Sequence, residues 1–259
     1  MEQMDIERIE IDGAEPTPAL LQALMLHGYG HFTAMQVRGR SVRGLDLHLA
    51  RLAQANAELF GAGLDGGLVT ALIRRALGTA DASVRVYVQR PDPDRPPVIT
   101  VTVRPPGEMP ALMSLTAVPY QRAVAHIKHL ADFGQHYYGD LAARGGFGEA
   151  LLTGQDGLIS EGSITNVGCF DGTAVIWPAA AMLRGITMQV LERELDRHGI
   201  PVRYRPVRVA DLPGFRAVFL TNSRGVATAA SIDGVPLPAD TEFAARLAGI
   251  WRDAPWDPL

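Results

Sequence analysis

The sequence predicts a mixed α+β fold assembled from many short strands and several helices. Three observations carry that expectation. Leucines recur at helical spacing between residues 45 and 77, valines alternate with polar residues from 84 to 88, and Asp-Gly pairs at 171–172 and 233–234 stand where hairpins turn. No internal repeat or low-complexity tract competes with this reading.

Taken in order, Leu45, Leu49, Leu52 and Leu59 share one face of a helix that stops near Gly61-Ala-Gly63. A second helical stretch runs through Leu68, Leu72 and Leu77 to Gly78. Val84, Val86 and Val88 alternate with Arg85, Tyr87 and Gln89, which gives a strand with one apolar and one polar face. Val98 to Val103 alternates again and is expected to pair with it; the proline-rich run from Arg90 to Pro97 must be the loop between them, since proline cannot feed a sheet ladder. A second Pro/Gly-rich segment, Arg104 to Pro110, precedes a domain boundary placed near Pro119-Tyr120, so that 1–118 forms one domain and 119–259 another. Beyond it the pattern predicts a helix around Tyr138 to Arg144, strands at Glu149–Thr153 and Asn166–Phe170, and a helix from about Ile186 to His198. Strands near Val202–Val207 and Ala217–Thr221 follow.

Composition narrows the function. At 259 residues and 47% hydrophobic the chain can bury a large core. A net charge of −4 without a basic run argues against a nucleic-acid or anionic-membrane surface. One cysteine, Cys169, excludes an internal disulfide framework and fits a reducing compartment. Met1 to Arg8 lacks the basic-then-apolar layout of a signal peptide, and no apolar run reaches membrane-spanning length. The expectation is a soluble cytoplasmic protein, with no metal site assigned.

Several residues invite a chemical reading beside a plain one. Lysine is seldom buried, so Lys128 alone reads as a surface residue. Its flanks Val124, Ile127 and Leu130 suggest an apolar strand context, where weak hydration favours the neutral amine that a Schiff base needs. Glu161 before Gly162 fits a turn, or a carboxylate aimed at a ring nitrogen. Gly185-Ile186-Thr187 opens a helix with the stripe Met188, Leu191, Leu195 and His198; its N-terminus suits a phosphate, unless Thr187 is merely a cap. Arg51 is either a solvated helix residue or a bidentate phosphate grip, and His48 reads as packing or capping. Asn222-Ser223 also suits an ordinary turn.

Glu161-Gly-Ser-Ile-Thr-Asn166 stands 33 residues after Lys128 (161 − 128) and ahead of Leu183-Arg-Gly-Ile-Thr187. Together these resemble the active-site framework of the class IV, or fold type IV, pyridoxal-phosphate enzymes. That family includes branched-chain and D-amino acid aminotransferases and aminodeoxychorismate lyase. The resemblance implies a small α/β domain and a larger domain on a barrel-like sheet, with pyridoxal 5'-phosphate held as an imine on Lys128. It implies Glu161 at the pyridine nitrogen, and Arg51, Ile186, Thr187, Asn222 and Ser223 around the phosphate. Phe32, Arg85 and Tyr87 correspond to residues on the substrate side. The implied reaction moves an amino group between an amino acid or amine and a keto acid, in a homodimer. Elimination in the manner of the lyase, or a non-catalytic member, is the alternative. The chain departs from the family pattern at Tyr29, His31 and Thr33, where Thr33 replaces a common glutamate. It departs again at Phe133, where a tyrosine often bonds the cofactor's phenolic oxygen, and at Ala227-Thr-Ala-Ala230.

Overall fold

The computed structural model describes residues 6–259; Met1–Asp5, part of the segment that argued against a leader, lie outside the described residues. In chain order the elements are β1 (Arg8–Ile11), α1 (Pro18–Leu26), β2 (Gly30–Arg38), β3 (Ser41–Val42), α2 (Leu45–Phe60), α3 (Gly66–Ala76), β4 (Ala82–Gln89) and β5 (Val98–Arg104). Then come β6 (Leu112–Val118), α4 (Phe133–Arg144), β7 (Glu149–Thr153), β8 (Ile159–Gly162), β9 (Asn166–Phe170), β10 (Val175–Pro178), α5 (Ile186–Arg197) and β11 (Val202–Arg205). The chain closes with β12 (Ala217–Asn222), β13 (Gly225–Ile232), β14 (Val235–Pro236), α6 (Thr241–Asp253) and β15 (Asp257–Pro258).

Contacts divide these into two compact units: residues 6–107 with Ile127–Ala131 and Pro255–Leu259, and Glu108–His126 with Asp132–Ala254. The first holds an antiparallel sheet in the order β1-β5-β4-β2-β3-β15. The alternation seen in the sequence explains it. Val84, Val86 and Val88 are fully buried against Val69, Leu72 and Ile73 of α3 and Leu52 of α2. Each such side chain contributes about 1.5–3 kcal/mol by leaving water. Gly61 ends α2 in the left-handed region (φ 64°), as a glycine C-cap should.

The second unit is a curled, half-barrel sheet of nine strands. Its main path runs β11-β10-β9-β12-β13-β6-β7-β8. Parallel neighbours need long crossovers, and α4 joins β6 to β7 while α5 joins β10 to β11. Met188, Leu191 and Leu195 of α5 pack with Phe243, Leu247 and Ile250 of α6 over Val175, Trp177 and Phe219. Asp233 and Gly234 both take positive φ (48° and 79°), the geometry that an Asp-Gly hairpin turn requires.

Four sequence expectations differ from these elements. Leu112–Val118, placed in the first domain by the reading of the sequence, pairs with β7 and β13 in the second unit's sheet. Helix α4 starts at Phe133, ahead of Tyr138; its first turn holds no buried residue, so no apolar periodicity marks it, although Asp132 stands at the N-cap. Glu161 lies within β8, where both faces are buried, and begins no turn. His198 is exposed just past the end of α5, outside the buried stripe.

Candidate active site

Lys128 sits in the first unit, on an irregular segment rather than in an apolar strand. Ile127 is buried, but Val124 is 52% exposed, so the apolar residues before the lysine do not share one face. What fixes the segment is the start of β2. Phe32 N–H donates to Lys128 O at 2.8 Å, Leu130 N–H donates to Gly30 O at 3.0 Å, and His31 bridges His129. Glycine is required at position 30: a Cβ there would meet Val88 O at 2.6 Å and Leu130 Cδ1 at 2.9 Å. Lys128 Nζ stands 4.6 Å from the centre of the Phe32 ring. A contact of that kind is worth about 0.5–1 kcal/mol, enough to bias the amine's position and weak enough to surrender.

Phe32 in turn stacks on Tyr87, its register partner, at 5.4 Å between ring centres. Arg85 is two residues from Tyr87 on the same strand face, half-buried. Lys128, Phe32, Tyr87 and Arg85 are therefore brought together. Gln89 continues that face but is committed elsewhere, donating to Leu24 O and His27 O at the end of α1.

On the opposite face of β2, the family departures have local reasons. Thr33 Oγ1 and His48 Nδ1 lie 2.6 Å apart, both buried. Burial, then the charge of Arg51, pushes the His48 imidazole down to about 3, so it is a neutral packing residue at working pH. Burial likewise lowers His31 to about 4, beside the Phe60 ring. Arg51 lies half-buried on α2 of this unit.

The second unit gathers Glu161, Ile186, Thr187, Asn222 and Ser223. Glu161 is buried, and its two oxygens are held from two directions: Oε1 accepts from Arg122 Nη1 at 3.0 Å and Oε2 from Leu183 N–H at 3.2 Å. Arg122 and Glu161 side chains are 2% and 7% exposed. Removing one member of such a buried pair typically costs about 3–5 kcal/mol. The same Nη1 donates to Ala125 O at 3.0 Å, across a turn in which Val124 has φ 47°. A left-handed backbone at a β-branched residue costs roughly 1–2 kcal/mol, which this turn bears in bringing the Ala125 carbonyl to the guanidinium.

Asn166, which closes the motif, links the loop at Leu183 to the start of α5. Its Nδ2 donates to Leu183 O at 2.7 Å and its Oδ1 accepts from Gly185 N–H at 3.1 Å. One buried amide thus fixes both the residue that bonds Glu161 and the entry to α5. Gly185 supplies no side-chain cap, which leaves the first-turn amides of Ile186 and Thr187 for an anion or solvent. Thr187 Oγ1 is not a cap either; it donates to Asn222 O at 2.6 Å and pins the Asn222-Ser223 turn beside the helix start.

Glu149 supports the motif from β7. Its Oε1 accepts from Ser163 N–H at 2.9 Å and also from the Ser163 hydroxyl. Burial raises its pKa, opposed by those same bonds. Gly162 is small for an internal reason, since a Cβ there would meet Thr165 Oγ1 at 2.0 Å. Among the described residues no group of three or more His, Cys, Asp or Glu side chains is placed to hold a metal.

A buried, ionically held carboxylate with an uncapped helix N-terminus fits a pyridine nitrogen and a phosphate, and the comparisons agree with that chemistry. The amino-transferase class IV family profile matches residues 30–232. The chain belongs to that family. Membership makes it an enzyme of pyridoxal-phosphate-dependent amino-group transfer. No curated protein sequence matches it. Among solved structures it resembles a hypothetical aminotransferase from Mycobacterium tuberculosis at a TM-score of 0.81 and 24% identity, covering 95% of this chain and 98% of that one. It also resembles a T.th. branched-chain amino acid aminotransferase complexed with N-(5'-phosphopyridoxyl)-L-glutamate, at 0.83 and 18% identity, covering 97% and 94%. The Thermoproteus uzoniensis branched-chain aminotransferase with norvaline aligns at 0.83 and 17%, covering 94% and 93%. At these identities the likeness establishes the fold.

Reasoning from sequence missed Arg122 and gave Asn166 no role of its own. It also passed over the plainest signal: Lys128 is the only lysine in the chain, the remaining 23 of the 24 Lys and Arg residues being arginine (24 − 1).

Proposed function

We propose that this enzyme transfers an amino group from an amino acid or amine to a keto acid, with Lys128 as the point of cofactor attachment and the proton carrier. The observation that carries the reading is the single lysine. An arginine cannot serve as the amine of a Schiff base, because its guanidinium stays charged. The one side chain able to do so stands over the Phe32 ring, which itself stacks on Tyr87. Bound pyridoxal phosphate supplies an aldehyde for that amine and a ring that accepts the electron pair released at a substrate's Cα. Glu161 holds the proton on the pyridine nitrogen. Ile186, Thr187, Asn222 and Ser223, with Arg51, hold the phosphate. Lys128 moves a proton between the substrate Cα and the cofactor's C4′. Phe32 and Tyr87 form an apolar wall, and Arg85 grips a carboxylate.

A keto acid acceptor is supported by the Mycobacterium tuberculosis protein, also seen in an α-ketoglutarate and PMP bound form at a TM-score of 0.79 and 24% identity, covering 95% of this chain and 99% of that one. Phe133 offers no hydroxyl to the cofactor's phenolic oxygen and is 81% exposed at the start of α4. With Tyr137 and Leu141 it forms an exposed apolar stripe at four-residue spacing, and Leu21, Met25 and Leu26 form another on α1. Stripes of this kind support a homodimer, and sedimentation at micromolar concentration tests it: a dimer is expected, and a fully active monomer would remove the claim. Among the described residues no helix is long and apolar enough to cross a membrane. The lone Cys169 is buried, and burial pushes its thiol up to about 12; we place the enzyme in the cytoplasm.

The test of the reaction is a half-reaction spectrum. Cofactor-loaded protein should lose its visible absorbance when an amino donor is added, release the matching keto acid, and recover on addition of a keto acid acceptor. Silence toward L- and D-amino acids and amines alike, or pyruvate release from aminodeoxychorismate, would overturn it.

A further inference from the structure

We infer that Arg122 is a positioning residue that acts through Glu161: it holds the carboxylate ionised and aimed, and so gives the site its preference for a ring with a nitrogen. The inference rests on the cofactor reading above. Three observations carry it. The Arg122 and Glu161 side chains, 2% and 7% exposed, are joined at 3.0 Å, in a place where an unpaired carboxylate would tend to take up a proton. Leu183 N–H holds the other oxygen at 3.2 Å, so with Arg122 in place the carboxylate is held by two donors from two separate loops. The third is the double use of Nη1. It bonds Glu161 Oε1 and also Ala125 O, at 3.0 Å each. Ala125 lies three residues before Lys128 in the chain, and the left-handed Val124 shapes the turn that presents its carbonyl. One guanidinium therefore ties the lead-in to the lysine to the group assigned to the ring nitrogen.

A neutral or swung Glu161 would lose the charge-assisted bond to a protonated ring nitrogen while leaving the phosphate cup intact. The cup depends on Asn166, whose bonds go to Leu183 and Gly185. Arg122 is thus expected to affect recognition of the ring and not of the phosphate.

The experiment compares dissociation constants for pyridoxal phosphate and for its analogue with CH in place of the ring nitrogen, by equilibrium dialysis. Wild-type protein should prefer pyridoxal phosphate by about ten- to a hundredfold, the scale of one charge-assisted hydrogen bond. Arg122→Met should lose most of that preference with the analogue bound as before, and Arg122→Lys should restore part of it. Preserved preference in Arg122→Met would overturn the inference, as would equal weakening of both ligands. Because Arg122→Met leaves a buried carboxylate that threatens folding, Arg122→Met/Glu161→Gln is compared with Glu161→Gln alone. The two should show the same residual preference, and a further loss in the double variant would show that Arg122 acts by another route. Wild-type protein that binds neither ligand would instead overturn the cofactor reading, and this inference with it.

Discussion

In the first unit, β4 buries Val84, Val86 and Val88 on one face and leaves Arg85 and Tyr87 half-buried on the other. In the second, β7, β8 and β10 are buried at every residue, and the polar side chains of Glu149, Ser160, Glu161 and Asn166 lie inside. Each of those has named partners: Ser163 for Glu149, Leu152 O for Ser160, Arg122 and Leu183 for Glu161, Leu183 and Gly185 for Asn166. A polar group in a strand buried on both faces is tolerated only with partners, and the partners fix its direction. A polar group on a half-buried face keeps more rotamer freedom and can follow a ligand. The contrast fits the proposed roles: Glu161, with its direction fixed by partners, toward a ring nitrogen, and Arg85 and Tyr87, on a half-buried face, toward the substrate.

Breaking the rigid side should give the largest effect. Glu161→Gln replaces a carboxylate with an amide that cannot hold the pyridine proton. Turnover should fall by roughly two to four orders of magnitude with cofactor still bound. Near-normal steady-state turnover would mean that another group faces that nitrogen. On the adaptable side, Arg85→Ala should raise the apparent KM for amino acids by about ten- to a hundredfold, the loss of one charge-assisted contact. Amines lacking the carboxylate should be affected much less. Equal effects on both substrate classes would remove Arg85 from substrate recognition.

The smallest effect sharpens the contrast through pH. His48, a buried residue of the first unit, has a folded pKa of about 3 against 6.5 unfolded. Between those values the unfolded chain binds the extra proton, so this stability is complete above 6.5 and is lost as pH falls toward 3, at up to about 1.4 kcal/mol per pH unit. Glu149 in the second unit has the opposite sign. Its folded pKa is raised from 4.5, so its contribution is present below 4.5 and declines as pH rises through the folded value. Hydrogen exchange resolved by peptide should show first-unit strands loosening between pH 7 and 5, with the slope reduced in His48→Gln. An unchanged slope would show that His48 does not carry the acid sensitivity.

Much of this was legible in the sequence where a periodicity or turn residue reports directly on packing. The valines of β4, the glycine stop of α2 and the Asp-Gly turns are of this kind. The motif from Glu161 to Asn166 and the helix start at Gly185 were legible through their resemblance to the class IV family, since the residues alone left a turn and a plain cap equally open. Lys128 was singled out by its company, and its setting differs from the apolar strand expected: the neighbours Val124 and Ile127 do not share a face, and the segment is ordered by hydrogen bonds to Gly30 and Phe32. Arg122 lay beyond reach because a partnership with Glu161 across 39 residues leaves no spacing rule. Helix α1 went unread for a different reason. Of its nine residues Leu24 alone is buried, so its leucines mark no inward face.

The account rests most heavily on Lys128 as the residue that carries the cofactor, and reductive trapping tests it most directly. Cofactor-loaded protein is treated with borohydride, digested and mapped by mass spectrometry. Because the chain has one lysine, the outcome is sharp. The phosphopyridoxyl mass should appear on the peptide containing Lys128 and vanish in Lys128→Ala. Label on the N-terminal amine alone, or a Lys128→Ala protein that still forms the reducible visible chromophore and turns over, would contradict the assignment.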